Sequence, residues 1–235
     1  FYIWERDNKM WNRHFILKDK LIPWRGKMAR LEIALDTTEQ EVVSQKVRET
    51  LDFAQNVLGC AQALAGESDM ERATMQTLKL VGEFYQADRA YIFEPDPVDK
   101  DSWNNTYEWC QEGISSEQDS LQSIPTSLIQ RWLDLFEAKK PVIISNMDDL
   151  KDTEPEEWEV LQRQGIRRLI ASPIFQDGEV YSFLGVDNPR HCLEDDALIQ
   201  TLSLFLTNRF RRNETEERLG ELLNLHYRDV LKNTD

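Results

Sequence analysis

The side chains that most often carry out catalysis are few in this sequence and widely spaced. His14, His191 and His226 fall in separate segments, which argues against a three-histidine metal site or a catalytic triad within one fold. The sequence also lacks the G-x-S-x-G, H-E-x-x-H and Walker motifs of hydrolases, metalloproteases and nucleotide-binding enzymes. We therefore predict that the chain has no catalytic residues and no metal site of its own.

The cysteines do not form a recognisable metal-binding or disulfide set. Cys60, Cys110 and Cys192 are odd in number, far apart and include no C-x-x-C pair, so neither a zinc site nor a disulfide framework is predicted. Free thiols indicate a reducing compartment, and we predict a cytoplasmic protein. His191 directly precedes Cys192, but adjacent side chains usually point apart, so we interpret this pair as incidental.

Aromatic residues at alternate strand positions supply the best candidate for a binding site. Tyr91 and Phe93 share one face of the segment ADRAYIFE, and Tyr107 and Trp109 share one face of TYEWCQ. Aromatic surfaces beside a few polar groups are typical of small-molecule pockets. The candidate ligand-binding residues are Tyr91, Phe93, Tyr107, Trp109, Trp132, Ser172, Ile174, Phe183 and Asp187. The alternative, that these side chains only fill a core, stays open, and the sequence identifies no cofactor.

The balance of charged residues excludes one class of partner. The chain has 43 acidic and 28 basic residues, a formal net charge of −15, and such a surface repels the phosphates of nucleic acids. The carboxylates concentrate in residues 94–120 and 148–159, which lack an ordered calcium-binding loop, so we interpret both stretches as solvated acidic loops. No run approaches the roughly 18 apolar residues of a membrane span, and no membrane contact is predicted.

The elements that must position the aromatic candidates alternate between helix and strand over residues 67–192. Helices are predicted at Met70–Tyr85, Ser127–Ala138 and Pro155–Gly165. Strands are predicted at Ala87–Glu94, Thr106–Gln111, Pro141–Ile144, Ile166–Phe175 and Glu179–Val186. The last two strands are joined by a hairpin turn at Asp177-Gly178. Strands from distant parts of the chain, with separate helices, predict an α+β fold with a largely antiparallel sheet.

A hairpin and a helix precede this segment. Residues 1–36 contain two strand-like runs, His14–Trp24 and Lys27–Asp36, separated by a tight turn. Two strands alone bury too little apolar surface to be stable, so we expect this hairpin to have partners outside the sequence. Residues 37–66 predict a helix with one apolar seam, which suits packing on either a partner helix or the helix's own domain. The seam residues recur at spacings of three and four and are Val43, Val47, Leu51, Ala54, Leu58, Ala61 and Ala65.

The final helix is predicted to begin at Glu194-Asp195-Asp196 and to carry an interrupted apolar seam. The seam positions at heptad spacing are Leu198, Leu202, Phe205, Arg209, Arg212, Glu216, Leu219, Leu223 and Val230. The charged interruption weakens a coiled coil at that point. Either the first half packs on its own domain and the second half is a linker, or the helix shifts between states to transmit a signal. We interpret both chain ends as cut points within a longer protein.

Two segments resemble known signalling domains. Residues 20–41, which end in the Asp36-Thr37-Thr38-Glu39 exit into a helix, resemble the last hairpin of a PAS domain. Residues 68–212 resemble a GAF domain in ADRAYIFE, NNTYEWCQEG, SLIQRWLDLFEAKKPVIIS and, above all, IRRLIASPIFQDGEVYSFLGVDNPR. The resemblance predicts a PAS-like hairpin (1–36), a signalling helix (37–66), a GAF domain (67–212) with long helices at both ends, and a C-terminal linker helix (213–235).

This resemblance implies a regulatory function. Domains in this arrangement lie upstream of bacterial output modules, often diguanylate cyclases or related enzymes of cyclic di-GMP signalling. The GAF fold implies a small-molecule cavity between the sheet and the loops and short helices that cover it. We expect a homodimer through the flanking helices, which relays a signal to a downstream output domain in the same chain. The alternatives are a structural dimerisation spacer and a methionine sulfoxide reductase that uses Cys110 and Cys192.

Two ligand motifs of the resembled family are not reproduced. Some GAF photoreceptors attach a bilin to a cysteine that is commonly followed by histidine, whereas here His191 precedes Cys192. GAF domains that bind cyclic nucleotides carry an N-K-x-n-F-x-x-x-D-E pattern, which this sequence lacks. The identity of the ligand therefore stays open.

Overall fold

The computed structural model describes residues 3–5, 13–67, 69–192 and 195–232. This part of the chain divides into two compact units, Phe1–Ala54 and Gln55–Asp235. Within the described ranges, no helix combines the length and the apolar character that a membrane span requires.

The first unit contains a three-stranded antiparallel sheet in the order β1-β2-β3, formed by Ile3–Glu5, Phe15–Trp24 and Lys27–Asp36. Arg25 and Gly26 join β2 to β3, and both have positive φ angles, 50° and 74°. A two-residue turn with two positive φ angles matches the right-handed twist of the flanking strands. The hairpin was predicted from the sequence, but β1 was not.

Helix α1 (Thr38–Gly66) begins at a side-chain cap. The Asp36 carboxylate accepts hydrogen bonds from the Thr38 backbone N–H (3.0 Å) and hydroxyl (2.6 Å), and both bonds lower the pKa of Asp36. Such a cap satisfies an N–H group that has no partner inside the helix. Val43, Val47 and Leu51 on the predicted apolar seam each expose more than half of their surface.

The second unit is built on a six-stranded sheet in the order β6-β5-β4-β9-β8-β7, in which every neighbouring pair is antiparallel. The strands are β4 (Arg89–Pro95), β5 (Ser102–Cys110), β6 (Ile124–Pro125), β7 (Val142–Ile144), β8 (Leu169–Gln176) and β9 (Glu179–Asp187). The helices are α2 (Met70–Tyr85), α3 (Gln130–Glu137), α4 (Pro155–Arg163) and α5 (Ala197–Lys232). The predicted α+β class with an antiparallel sheet is confirmed.

Helices lie on both faces of this sheet. α2 contacts β4 and β5, and α5 contacts β8 and β9, while α3 contacts β7 and β9. Gly82 on α2 allows the closest approach, because a Cβ atom there would overlap the Trp109 ring of β5. The Asp69 carboxylate caps the start of α2, and Gln86 ends the helix with a left-handed φ of 49°.

The first turns of α5 provide its buried face. Leu198, Ile199, Leu202 and Leu206 are almost completely buried, whereas the predicted seam residue Phe205 is only half-buried. Arg209 donates a hydrogen bond to the Glu67 carbonyl at 2.8 Å. Leu219 is exposed. The side chains of the other predicted seam residues, Arg212, Glu216, Leu223 and Val230, lie outside the described residues, as does Glu194.

Several element boundaries differ from the sequence predictions. β5 begins at Ser102, four residues before the predicted Thr106, and this extension buries Trp103. β8 begins at Leu169 and not at Ile166, because Gly165 with a φ of 71° reverses the chain after α4. The predicted helix Ser127–Ala138 consists of a 3-10 turn, Thr126–Ile129, followed by α3. Strand β6 and the 3-10 turn at Met147–Leu150 were not predicted.

Candidate ligand-binding site

A cavity of about 60 Å³ lies between the sheet and the segments that cover one of its faces. β4, β5 and β9 form its floor, and α3, α4 and residues 121–129 form its cover. Its apolar lining consists of Tyr91, Phe93, Leu121, Ile124, Leu128, Ile129, Trp132, Val160, Leu161, Ile166 and Phe183. Its polar lining consists of Glu108, Glu157, Gln164 and Asp187.

Aromatic rings from adjacent strands form one wall of the cavity. Phe93 and Phe183 are register partners on β4 and β9, and their rings stack at 5.0 Å between centroids with an interplanar angle of 5°. The edges of Tyr91 and Trp132 meet this stack, at 5.6 Å from Phe93 and 5.7 Å from Phe183 respectively. Offset and edge-to-face pairs of this kind fix ring orientation.

Gly185 makes room for the Tyr91 ring. The two residues are register partners on β9 and β4. A Cβ atom on Gly185 would lie 2.5 Å from the Tyr91 ring and 2.7 Å from its hydroxyl oxygen, so only glycine allows this ring to lie flat against the strand. Burial raises the pKa of Tyr91 well above its ordinary value, so the phenol stays neutral.

A buried ion pair closes one end of the cavity. The side chains of Arg89 and Asp187 are 6% and 2% exposed, and Arg89 Nη1 lies 3.4 Å from Asp187 Oδ2. Arg89 also donates to the carbonyls of Ser115 (3.0 Å) and Gln164 (3.3 Å) and lies 3.7 Å from Glu117. Burial raises the pKa of Asp187 to about 7, although the neighbouring Tyr91 hydroxyl and Arg89 favour the ionised form.

Glu108 ties the loop after β5 to the cavity floor. Its Oε2 accepts from the Ser116 hydroxyl (2.5 Å) and from the backbone N–H groups of Glu117 (2.8 Å) and Gln118 (3.3 Å). Its Oε1 accepts from the Asn105 amide at 3.0 Å. These bonds attach residues 116–118 of the loop to a carboxylate that lines the cavity.

Glu157 joins the two covering helices. It receives a bidentate pair from Arg131 on α3, at 2.9 and 2.6 Å, and a hydrogen bond from the Trp132 indole N–H at 2.8 Å. Bidentate arginine–carboxylate pairs are strong and directional. Glu157 thereby fixes the Trp132 ring against the cavity.

The structure brings together five of the nine predicted site residues. Tyr91, Phe93, Trp132, Phe183 and Asp187 line the cavity. The prediction of one pocket for all nine is corrected, because Tyr107, Trp109, Ser172 and Ile174 lie on the opposite sheet face. Trp109 packs on Gly82 of α2, Tyr107 lies near Glu71 at the start of that helix, and Ser172 donates to Asp196 at 2.6 Å beside α5. Ile174 is fully buried on β8, two residues from Ser172.

Successive side chains of a strand point to opposite faces of the sheet, and this alternation explains why the four residues lie away from the cavity. Glu108 on β5 and Ala171 on β8 contribute to the cavity side, so their neighbours must face the other way. Sequence reasoning did not single out Arg89, Glu108 or Glu157. A charged residue inside an otherwise apolar or aromatic strand was the available signal for Arg89 and Glu108, whereas nothing in the local pattern distinguishes Glu157 from its acidic neighbours.

The cysteines do not form a reactive centre with the cavity. Burial and the Glu108 carboxylate raise the pKa of Cys110 to about 11, which disfavours the nucleophilic thiolate. Cys192 Sγ lies 3.4 Å from His191 Nδ1, closer than the sequence interpretation implied, but that nitrogen also lies 3.0 Å from the Phe84 carbonyl. Among the described residues, no three His, Cys, Asp or Glu side chains are grouped to hold a metal ion.

The cavity lies under short helices on one face of the antiparallel sheet, and longer helices lie on the other face. The family model of the GAF domain matches residues 69–209, and the chain therefore belongs to the GAF domain family. It carries a GAF sensory domain of a signal-transduction protein.

Known proteins similar to this chain include a histidine kinase and the GAF domains of a phytochrome and of a phosphotransferase. A methanogenesis regulatory histidine kinase, FilI, from Methanothrix harundinacea is 27% identical over 173 residues, which are 66% of this chain and 19% of that protein. The chain thus spans about a fifth of the length of this relative. The phycocyanobilin-bound GAF domain of a cyanobacterial phytochrome is 18% identical, with a TM-score of 0.58 over 70% of this chain and 96% of that one. The GAF domain of a phosphoenolpyruvate-protein phosphotransferase from Coxiella burnetii is 16% identical, with a TM-score of 0.56 over 72% and 98%.

Proposed function

We propose that the GAF domain binds a small molecule in the aromatic cavity and passes the resulting change to an output domain in the same protein. The observation that carries this proposal is the position of β9. Its residues Phe183 and Asp187 line the cavity, and the chain that follows leads into α5. If β9 can adopt two arrangements, a ligand that binds one of them more tightly would increase the population of that arrangement.

A chain of hydrogen bonds supports this coupling. After Asp187, the Asn188 amide donates to Asp88 (2.8 Å) and to the Gly165 carbonyl (3.1 Å) at the end of α4. The backbone N–H groups of Arg190 and His191 donate to the Tyr85 carbonyl. The Tyr85 hydroxyl in turn donates to the Asp195 carbonyl at 2.8 Å, two residues before α5 begins. The cavity wall, the end of α2 and the start of α5 are therefore connected.

Thermal-shift and calorimetric screening with nucleotides, bilins, haem and small metabolites tests the binding step, because a ligand that binds only the folded state raises its stability. Val160→Phe should fill the cavity and abolish the shift. Val98→Phe makes the same change at an exposed position and should leave binding intact. A complete absence of ligand in a broad screen would favour the alternative of a structural spacer.

We propose further that the flanking helices form a homodimer in the cytoplasm, and that residues 1–36 are the last hairpin of a PAS domain. The exposed apolar side chains of α1 and of the β2–β3 hairpin support both ideas, since Trp24, Met28, Val47 and Leu51 are each more than half exposed. If removal of residues 213–235 changes neither the association state nor the response to ligand, the helix relay is wrong.

The sequence resemblance and the similar FilI protein suggest two different output domains. The sequence resemblance favours a diguanylate cyclase or a related enzyme of cyclic di-GMP signalling, whereas the similar FilI protein is a histidine kinase. Incubation of the full-length protein with labelled GTP or ATP distinguishes the two, because the first yields cyclic di-GMP and the second a phosphohistidine. Formation of neither product would remove both candidates.

A further inference from the structure

We propose that the cavity selects a small organic cation, of the size of a methylated ammonium ion. This inference rests on the proposed function, since it names the chemical class of ligand for that binding site. Charge, an unpaired buried oxygen, ring faces and cavity size each support it.

The charges around the cavity are unbalanced. Glu157 is offset by its bidentate partner Arg131. Arg89 lies between Asp187 at 3.4 Å and Glu117 at 3.7 Å. Glu108 receives hydrogen bonds from an amide, a hydroxyl, a thiol and two backbone N–H groups. Among the residues that the structure describes, Arg89 thus pairs with two carboxylates, and Glu108 receives its hydrogen bonds from uncharged donors alone. A cationic ligand reduces this excess, whereas an anion would add to it.

Asp187 presents an unused acceptor at this point. Its Oδ1 is fully buried and accepts no hydrogen bond of ordinary length and angle within the described ranges, although the Tyr91 hydroxyl is close enough to this carboxylate to lower its pKa. Asp187 is 2% exposed and lines the cavity. A buried acceptor without a partner is costly, and an ionised donor satisfies a carboxylate best.

The rings of the cavity suit the apolar surface of an organic cation. Tyr91, Phe93, Trp132 and Phe183 line it, and aromatic ring faces attract ammonium groups most strongly where water is excluded. Within the described part of the chain, the cation–π contacts of Arg and Lys involve Trp24 and Trp158, so no side-chain cation occupies these four rings. Phe93 and Phe183 stack on each other, and each leaves at most one face to a ligand.

The cavity volume limits the size of the cation. A volume of about 60 Å³ corresponds to roughly four to six water molecules, if each requires about 10–15 Å³ on this measure. Tetramethylammonium and trimethylammonium are of this size. A tetrapyrrole or a nucleotide would require the covering helices to move.

Calorimetric titration of the whole chain with tetramethylammonium chloride tests the inference, with uncharged tert-butanol and anionic acetate as probes of similar size. At about pH 8 and about 0.15 M salt, which screens weak surface attraction, we expect saturable binding of the cation only. Asp187→Asn should weaken it at least tenfold, whereas Asp152→Asn, at an exposed carboxylate, should not change it.

Phe93→Leu provides a second variant if Asp187→Asn does not fold. It keeps an apolar side chain but removes a ring face, and it should also weaken cation binding several-fold. Binding that persists in Val160→Phe would place the cation elsewhere and overturn the inference. Binding of tert-butanol or acetate in preference to the cation would overturn it while supporting the proposed small-molecule site. If no probe binds, the inference fails, and the broad ligand screen decides the proposed function separately.

Discussion

At the residue scale, Asp187 combines deep burial with a nearby arginine, and burial has the larger effect on its pKa. The folded protein therefore holds a proton on Asp187 up to about pH 7, whereas the unfolded chain loses it near pH 4. Between these values the folded state binds more protons, so the contribution of Asp187 to the free energy of unfolding decreases as pH rises.

Asp187→Asn removes this titration. The stability of the natural chain minus that of the variant should therefore decrease between about pH 4 and pH 7, by about 1.4 kcal/mol for each unit of pKa shift. Urea unfolding over a pH series measures this difference, and Asp152→Asn is the control at an exposed site. A stability difference that increases with pH would show that Arg89 lowers the pKa of Asp187 by more than burial raises it.

Gly185 is the second residue whose surroundings permit a sharp prediction. Gly185→Ala places a methyl group 2.5 Å from the Tyr91 ring, and overpacking of this kind costs about 1–3 kcal/mol. Chemical denaturation should show that loss. Gly59→Ala is the matched control, because its new Cβ would meet Leu80 at an ordinary 3.5 Å within a helix. Equal stability of both variants would contradict the packing described for Tyr91.

At the element scale, Glu157 connects α3 to α4 over the cavity. Glu157→Gln replaces the charged partner of the partly exposed Arg131 guanidinium with a neutral amide at a buried position. We expect a loss of about 1–3 kcal/mol in the free energy of unfolding. Denaturant unfolding compared with Glu156→Gln, the exposed neighbour, measures it. Identical transitions for the two variants would show that the pair does not hold the cover together.

The long or strongly patterned elements were predictable from the sequence, and the short ones were not. Met70–Tyr85 and Lys27–Asp36 match at both ends, because caps and alternation are local signals. β6 has two residues and depends on pairing with Ser102 and Trp103, which are distant in sequence. Four of the five predicted cavity residues lie on β4 and β9, and the fifth, Trp132, lies on α3. The wrong face of β5 was chosen because Tyr107 and Trp109 are more conspicuous than Glu108.

At the scale of the whole molecule, the exposed apolar seam of α1 is the feature that needs a partner. Leu51→Glu places a charge on this seam and should convert the proposed dimer to a monomer without unfolding it. Sedimentation equilibrium measures the mass, and circular dichroism checks the fold. Gln55→Glu adds the same charge one turn later at a polar position and should leave the dimer intact. Dissociation of both variants alike would indicate a general effect of charge.

The indole of Trp132 lies where its fluorescence can report the entry of a ligand. It borders the cavity, and its N–H donates to Glu157, so a molecule that enters would change both the polarity around the ring and this hydrogen bond. Indole emission responds in wavelength and intensity to such changes. The protein therefore contains an intrinsic optical reporter at the cavity wall, and Trp132→Phe would separate its signal from that of the other six tryptophans.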